Sequence, residues 1–237
     1  MVRTVSRTNP RSPENALEGN ESVKRYQFIY EELKKEIVLG NLKPGESLLE
    51  LELAKQFDTS RAPIREACIH LHNEGFLSAT PYKGYTVTEI SMEEVKELFQ
   101  VRLILECSAA EMAAQNLYIR LEEIAEMERH LKTQQSEIDP NDLLKHLHAE
   151  TGFHMAIAKA SGNTLLAKFI GETLERFQRF HLKILRMRPT QEVRQVTINW
   201  HTTILNSIKN QSPSKARDSM YQHIFEAKEN ALKVYFS

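Results

Sequence analysis

The pattern of apolar and polar positions divides the chain up to about residue 90 into three helices and a hairpin. Apolar residues recur with the period of an amphipathic helix over 23–39, and a shorter helical pattern covers 49–57. A third helix begins at a Thr-Ser cap and ends at Gly75. Apolar and polar residues then alternate in FLSATPYKGYTVTEI, which predicts a small β-hairpin with Gly84 at its tip.

Helical patterns alone continue from there to the end of the chain. Pro, Gly, Asn and Ser separate most of them, as expected where helices stop. The predicted helices cover residues 92–117, 120–137, 140–160, 163–187, 191–210 and 213–235. Five of the eight glycines lie in the first 90 residues, four of them at predicted turns or helix ends, whereas the later helices are nearly free of glycine.

This change predicts a mainly α protein in three parts. Residues 1–21 hold two prolines without periodicity and are expected to form a flexible arm. Residues 22–90 are predicted to form a winged helix-turn-helix, because three short helices followed by a hairpin make up that fold. Residues 91–237 are predicted to form an all-α bundle of six to seven helices.

Composition and the cysteines narrow the class of protein. The 237 residues are 41% hydrophobic and 27% charged, which is typical of a folded globular chain and excludes a disordered one. No apolar run approaches the roughly 18 residues of a membrane span, and the N-terminus lacks the apolar core of a secretory signal. Cys68 and Cys107 form no C-x-x-C pair and are interpreted as reduced, buried thiols. We therefore expect a cytoplasmic protein without membrane contact.

The near-neutral charge restricts the kind of nucleic-acid binding that is possible. The formal net charge is -1, and residues 22–90 alone hold nine Lys and Arg against ten Asp and Glu. The sequence therefore predicts no broad basic surface, although a net charge near zero does not exclude binding to DNA. The near-neutral charge favours DNA contacts made by a few well-placed Lys and Arg side chains instead.

Such cations stand at the start of the third helix. Arg61 and Arg65 are one turn apart and project from one side, where each can bond guanine bidentately in the major groove. The alternative is that both are solvated residues paired with a nearby acid such as Glu66. Neighbouring hydroxyls can reach phosphate, and the hairpin tip can follow the adjacent groove or backbone. The candidate DNA-binding residues are Thr59, Ser60, Arg61, Arg65, Lys83 and Gly84.

The segment ELELAKQFDTSRAPIREACIHLHNEGFL, followed by YKGYTV, resembles the DNA-binding domain of GntR-family bacterial regulators. The resemblance covers about residues 23–89 and implies a winged helix-turn-helix that reads DNA. Departures are mild: Asp58-Thr59 and Ile64 stand where the family often has Gly-Val and Val. Leu51, near the start of the second helix, supplies no basic contact.

In the later helices, four polar residues lie on predicted apolar stripes. Glu150 and His154 point the same way at i and i+4, and His201 and His223 belong to the last two helices. Each histidine alone can be a hydrogen-bonded core residue. If the helices converge, the four suit a divalent transition metal, because imidazole and carboxylate ligate such ions.

These helices also resemble the FCD ligand-binding domain of the FadR subfamily of GntR regulators, over about residues 92–233. The segments VRLILECSAAEMAA, ETGFHMAIAKASGN, WHTTILNSI and YQHIF carry the resemblance. It implies that Glu150, His154, His201 and His223 ligate the ion. These residue types suit zinc, nickel, cobalt, manganese or iron, among which geometry rather than sequence decides, and zinc or nickel is the expected metal. Glu150 replaces the Asp of the family pattern, and Trp200 stands where a Glu is frequent.

Arg102, Asn163 and the remaining histidines also have expected roles. Arg102 lies on a buried stripe, where it can pair with Glu106; the resemblance implies instead that it anchors the carboxylate of a small effector. Asn163 is a further effector candidate, although a helix N-cap also explains it. His146 and His148 are interpreted as surface residues or as supports for a ligand. The interpretation as ordinary core histidines applies to His70, His72, His130 and His181.

The expected function is a homodimeric DNA-binding transcription regulator, a repressor rather than an activator, on a palindromic operator. A small organic acid bound beside the metal would control its operator affinity. Two alternatives remain at this point: the same regulator with a purely structural metal, and a helical metal-dependent hydrolase.

Overall fold

The computed structural model describes residues 18–80, 84–116, 121–136, 143–186 and 191–236. The chain divides into two compact units, Met1–Glu89 and Ile90–Ser237. The mainly α fold expected from the sequence is confirmed. The first unit contains α1 (Glu18–Val38), β1 (Ser47–Leu48), α2 (Glu50–Gln56), α3 (Arg61–Asn73), β2 (Leu77–Thr80) and β3 (Gly84–Val87).

Helix α1 packs against α3, and both bury apolar residues at helical spacing. Ile29, Leu33, Ile64 and Leu71 are each at most 1% exposed, and Phe76 closes the core below them. Helix α1 begins at Glu18 rather than near residue 23, so its first turn lies in the segment expected to be a flexible arm. That turn reads EGNES, and without apolar residues it shows no periodicity.

The predicted hairpin is part of a three-stranded antiparallel sheet with the order β1-β3-β2. Strand β1 has two residues, too few for an alternating pattern, and was not predicted. Gly84 is not at the hairpin tip but begins β3 opposite Thr80. Its φ is +82°, and an added Cβ would lie 2.7 Å from the carbonyl oxygen of Leu48, so only glycine fits where β1 joins the sheet.

The turn between α2 and α3 contains a residue in the left-handed region. Asp58 has a φ of +49°. The guanidinium of Arg25 donates to the carbonyl oxygens of Asp58, at 2.7 Å, and of Phe57, at 3.2 Å. These bonds fix the turn that leads into α3.

The second unit contains six described helices, close to the predicted bounds. They are α4 (Met92–Gln115), α5 (Leu121–Gln135), α6 (Leu143–Ala160), α7 (Thr164–Arg186), α8 (Gln191–Lys209) and α9 (Pro213–Phe236). Helix α4 packs against α6, α7, α8 and α9, while α5 packs on α6 and α8. Phe99, Phe153 and Phe180 are fully buried in the core.

Several charged or polar side chains are buried within this apolar core. Arg102 and Glu106 of α4 are each 2% exposed, and three histidines of α6, α8 and α9 are at most 3% exposed. Burying such groups is costly unless they are paired or ligate an ion.

Among the described residues, none of the helices combines the length and the apolar character that a membrane span requires.

Candidate metal centre and nucleic-acid interface

The two arginines at the start of α3 are held together by one carboxylate. Nη2 of Arg61 lies 2.8 Å from Oε2 of Glu50, and Arg65 donates to both oxygens of Glu50 at 2.9 and 3.0 Å. Hydrogen bonds from Arg65 and Arg61 lower the pKa of Glu50 although partial burial opposes this. The acid that pairs with both arginines is therefore Glu50 of α2, not Glu66.

The arginines are exposed at 58% and 55% of their side chains, whereas Glu50 is 14% exposed, so the guanidinium groups are presented on a buried support. Ser60 occupies the N-cap position of α3, but its side chain accepts no capping hydrogen bond. Its hydroxyl is exposed at the same helix end as the arginines. Thr59 lies in the preceding turn, and Lys83 lies outside the described residues.

The second unit brings together all four predicted metal ligands. Helix α6 supplies Glu150 and His154, α8 supplies His201, and α9 supplies His223; one ligand atom of each lies within 4.8 Å of the others. The Nε2 atom of His223 is 3.1 Å from that of His201 and 3.3 Å from that of His154. Oε1 of Glu150 lies 3.4, 3.8 and 4.0 Å from Nε2 of His154, His201 and His223.

These spacings fit an ion. Two ligand atoms about 2.1 Å from a tetrahedral zinc are about 3.4 Å apart, close to the separations of the histidine nitrogens. The carboxylate oxygen is slightly farther away and would move inward by a side-chain adjustment. The donor set of three imidazoles and one carboxylate suits a divalent transition metal.

Two buried groups orient the histidines for ligation. Gln134 of α5 donates from Nε2 to the carbonyl oxygen of Ala149 at 3.0 Å, which turns its Oε1 toward Nδ1 of His201 at 2.5 Å. A carboxylate oxygen of Glu106 lies 2.5 Å from Nδ1 of His154. Protons on these Nδ1 atoms leave the Nε2 lone pairs directed at the centre, as metal-ligating histidines require.

The electrostatics agree with this assignment for His201 and His223. Burial opposes the charge on His154, yet Glu106 and Glu150 raise its pKa, so ligation would displace a proton from that ring. Burial lowers the pKa of His201 to about 3 and that of His223 well below its usual value, so both imidazoles are neutral. Burial opposes the charge on Glu106, but Arg102 and His154 bring its pKa down to about 2. Burial likewise opposes the charge on Glu150, yet neighbouring histidines lower its pKa.

A cavity of about 410 Å³ adjoins this cluster, and both Glu150 and His223 line it. Arg102 also lines the cavity, but its Nε donates to Glu106 at 2.5 Å, as the pairing alternative predicted. Its guanidinium carbon lies 4.3 Å from the ring centre of Phe177. The pair leaves Arg102 at the cavity wall.

Asn163 is placed elsewhere. It is exposed, does not line the cavity, and its Oδ1 accepts from the backbone of Leu166 at 3.0 Å, so it caps α7. His148 is exposed, whereas His146 is 6% exposed and lines the cavity. Of the two interpretations of His146, the surface position is therefore wrong, and the role as a support for a ligand stays a prediction. His181 lines the cavity too, and its buried Nδ1 has no hydrogen-bond partner among the described residues.

Sequence reasoning missed the supporting groups. Gln134 lies in a helix far along the chain from His201, and no spacing connects the two residues. Glu106 was visible only as the i+4 neighbour of Arg102, without its contact to His154. Glu50 stands one helix before the arginines that it pairs with, so only the packing of α2 on α3 shows the contact.

Comparison with known proteins identifies both units. Residues 25–87 match the gntR family of bacterial regulatory proteins, and residues 97–226 match the FCD domain. The chain is 26% identical to the HTH-type transcriptional repressor RspR of Escherichia coli K12, over 88% of this chain and 89% of that protein. It is 41% identical to the uncharacterized HTH-type transcriptional regulator YdhC of Bacillus subtilis, over only 37% of this chain and 39% of that protein.

The solved structure of E. coli McbR/YncC has the same fold. Its TM-score is 0.74 at 23% sequence identity, over 89% of this chain and 98% of that one. The fold and the matches define a DNA-binding transcription regulator, not an enzyme. The chain belongs to the GntR family and carries an FCD domain.

Proposed function

We propose that this regulator is a homodimeric repressor whose operator affinity is controlled by a small organic acid bound beside a divalent metal in the second unit. The ion is zinc or nickel, held by Glu150, His154, His201 and His223. The operator is a palindrome read by two copies of α3, in the cytoplasm. The name of the relative RspR, a repressor, supports the sign of the control.

The observation that carries this proposal is the convergence of three histidine Nε2 atoms at the edge of the cavity. A purely structural cluster would not need an adjoining space of about 410 Å³ that Glu150, His223 and Arg102 all line. When bound, the ion would supply a positive charge and a coordination position for a carboxylate oxygen of the acid. Arg102 would bind the same carboxylate from the wall, since a guanidinium recognises it in a fixed geometry.

The proposed DNA contacts rest on the start of α3. Arg61 and Arg65 are exposed, one turn apart and already fixed by Glu50. A recognition helix places its first turn against base edges in the major groove. Ser60 and Thr59 would bind phosphate, while Lys83 and the backbone at Gly84 would contact the neighbouring groove.

Control requires that the acid bind one state of the protein better than the other. A coupling free energy of about 1–3 kcal/mol is typical and corresponds to a change in operator affinity of roughly 5–150-fold. The acid alone would not act, because the ion forms part of its site.

The test begins with the operator, which purified protein selects from random duplex DNA. Operator affinity is then measured by fluorescence anisotropy with zinc or nickel and a panel of organic acids. His201→Ala should lose the bound ion and the response to the acid, while keeping operator affinity. His148→Ala, an exposed histidine of α6, is the matched control and should change neither. A full acid response in ion-free His201→Ala protein would contradict the sensor assignment.

A structural ion is the second candidate, because four protein ligands can close a tetrahedral site without an open position. In that case His201→Ala would lower thermal stability and no acid would alter operator affinity at any ion concentration. The two outcomes separate the candidates directly.

A further inference from the structure

The cavity extends well beyond the polar cluster along three helices. Residue Ala231 lies eight positions after His223 in α9, and Val193 lies eight positions before His201 in α8, or about 12 Å along each helix. The hydrogen bond between Trp200 and Glu226, at 2.9 Å, shows that α8 and α9 run side by side there. Helix α7 also lines the cavity, from Phe177 to Leu185.

The walls of this extension are mostly apolar. The apolar lining residues beyond the cluster are Ile184, Leu185, Val193, Val196, Ala227 and Ala231. Most polar lining groups there bond within the protein: Arg194 donates to the carbonyl oxygens of Gln134 and Ser136 at 3.3 and 2.7 Å, and Glu226 accepts from Trp200. Asn230 and the cationic Lys233 line the same end of the cavity.

The opposite end is polar. There Arg102 lies against Phe177, and His181 stands one turn farther along α7 with its buried Nδ1 unpartnered. Burial lowers the pKa of His181 to about 4, so its neutral ring can exchange a hydrogen bond with a ligand head group without adding charge. The cavity is therefore amphipathic, with a carboxylate-binding end and a long apolar end.

We infer that the effector is a monocarboxylate with an apolar body that extends about 12 Å from the ion, rather than a small polar hydroxy acid or sugar acid. This rests on the proposed function, because it assumes that the carboxylate binds at the ion and Arg102. The bonds from the ion through a carboxylate oxygen to its carbon take up about 3 Å of this length. An extended hydrocarbon chain advances about 1.25 Å per carbon, so the remaining length of about 9 Å holds a chain of about eight carbons. The volume lies within the range of about 300–1,000 Å³ that is common for ligand sites.

The test is a series of straight-chain acids titrated calorimetrically into the full-length, zinc-loaded protein: acetate, butyrate, hexanoate, octanoate and decanoate. Affinity should rise about fourfold for each added methylene up to octanoate and then level off. Gluconate and octanedioate are included as polar probes, and octan-1-ol as a probe without the carboxylate. Octanoate should bind more tightly than all three.

Shortening the cavity gives an independent arm. Ala227→Leu adds a side chain one turn from His223 and should reduce octanoate affinity at least tenfold while butyrate binding is retained. Ala125→Leu, an exposed position of α5 outside the cavity, is the matched control and should alter neither. If Ala227→Leu protein does not fold, Val196→Phe narrows the same space from α8, where the residue is 39% exposed.

The outcomes are distinct. Equal affinity along the series, or tighter binding of gluconate, overturns the apolar-body assignment and leaves the carboxylate sensor standing. Tighter binding of octanedioate than of octanoate also overturns it and indicates a second carboxylate site at the cationic lining residues Arg194 and Lys233. If the ion binds but no acid does, the effector proposal itself fails, and this inference fails with it.

Discussion

Gln134, a neutral side chain, sets the orientation and the protonated nitrogen of the buried His201 ring. Its amide is fixed by the carbonyl oxygen of Ala149, and its Oε1 in turn fixes which nitrogen of His201 carries the proton. A neutral side chain thereby decides that Nε2 of His201 is available as a ligand. The same role is played for His154 by Glu106, whose charge is balanced by Arg102.

Replacing Gln134 should therefore weaken the centre without touching a ligand. We expect Gln134→Met to reduce zinc affinity about 10–100-fold, as is typical when a group that orients a histidine is removed. The measurement is competition with a chromophoric chelator. Gln135→Met, at the exposed neighbouring position, should bind zinc like the unaltered protein. Unchanged affinity in Gln134→Met would show that His201 is not oriented by this bond.

Asp58 permits a prediction at the level of a single backbone conformation. Its φ of +49° is costly for a residue with a side chain, and glycine adopts that region freely. We expect Asp58→Gly to raise the free energy of unfolding by about 0.5–1 kcal/mol, measured by urea denaturation. Glu66→Gly, at an exposed position inside α3, should lower it by about 1 kcal/mol. A loss of stability in Asp58→Gly would mean that its side chain contributes more than the backbone strain costs.

At the scale of elements, α2 prepares α3 for its proposed task. Helix α2 has only seven residues, yet it carries the carboxylate that holds two guanidinium groups of α3 in place. Holding the arginines before binding reduces the conformational entropy lost on the DNA. The same carboxylate repels phosphate, so it lowers attraction to DNA of any sequence.

Glu50→Ala should separate these two effects. We expect non-specific affinity to rise, because a negative charge is removed, while the ratio of specific to non-specific affinity falls because Arg61 and Arg65 are no longer fixed. Both affinities are measured by anisotropy at one salt concentration. Glu52→Ala removes the same charge from an exposed position of α2, so non-specific affinity should rise there with discrimination preserved. Equal discrimination in the two variants would refute a positioning role for Glu50.

The helices were predictable because each buries a stripe with the period of 3.6 residues, and the six of the second unit lie close to their predicted bounds. The convergence of the four candidate ligands was predictable for the same reason, since polar residues on those stripes must point inward. Strand β1 was not predictable, because a strand of two residues is too short to show an alternating pattern of apolar and polar residues. The hydrogen bonds made by Gln134, Glu106 and Glu50 to residues of other helices were not predictable. They depend on how these helices pack against one another, which the sequence pattern of a single helix does not show.

At the scale of the whole molecule, the second unit carries a set of buried groups that oppose protonation. Burial lowers the pKa of His181 to about 4, that of His201 to about 3, and that of His223 well below its usual value. The unfolded chain binds protons at these positions below about pH 6.5, whereas the folded chain does not. Folding is therefore penalised as the pH falls.

Ion-free protein should lose stability between pH 6.5 and pH 5. Each of the three histidines would contribute a loss of about 2 kcal/mol over this interval, measured by urea denaturation in a chelator. The pKa of His154 is raised, so its contribution is already complete below its unfolded value and does not change here. His201→Gln should flatten the dependence by one proton, and the exposed-site variant His148→Gln should leave it unaltered. A flat profile for the unaltered protein would contradict neutral, buried imidazoles.

The last turn of α5 receives bonds from two directions. His201 contacts the side chain of Gln134, while the guanidinium of Arg194 donates to the backbone oxygens of Gln134 and Ser136. An ion that draws in His201 and a ligand whose apolar body packs along the wall that Arg194 lines would both act on this turn. Occupancy of the two sites would then be thermodynamically linked, and by reciprocity each would change the affinity of the other by the same factor. The regulator would respond to the product of two concentrations, behaving as a coincidence detector for metal and acid.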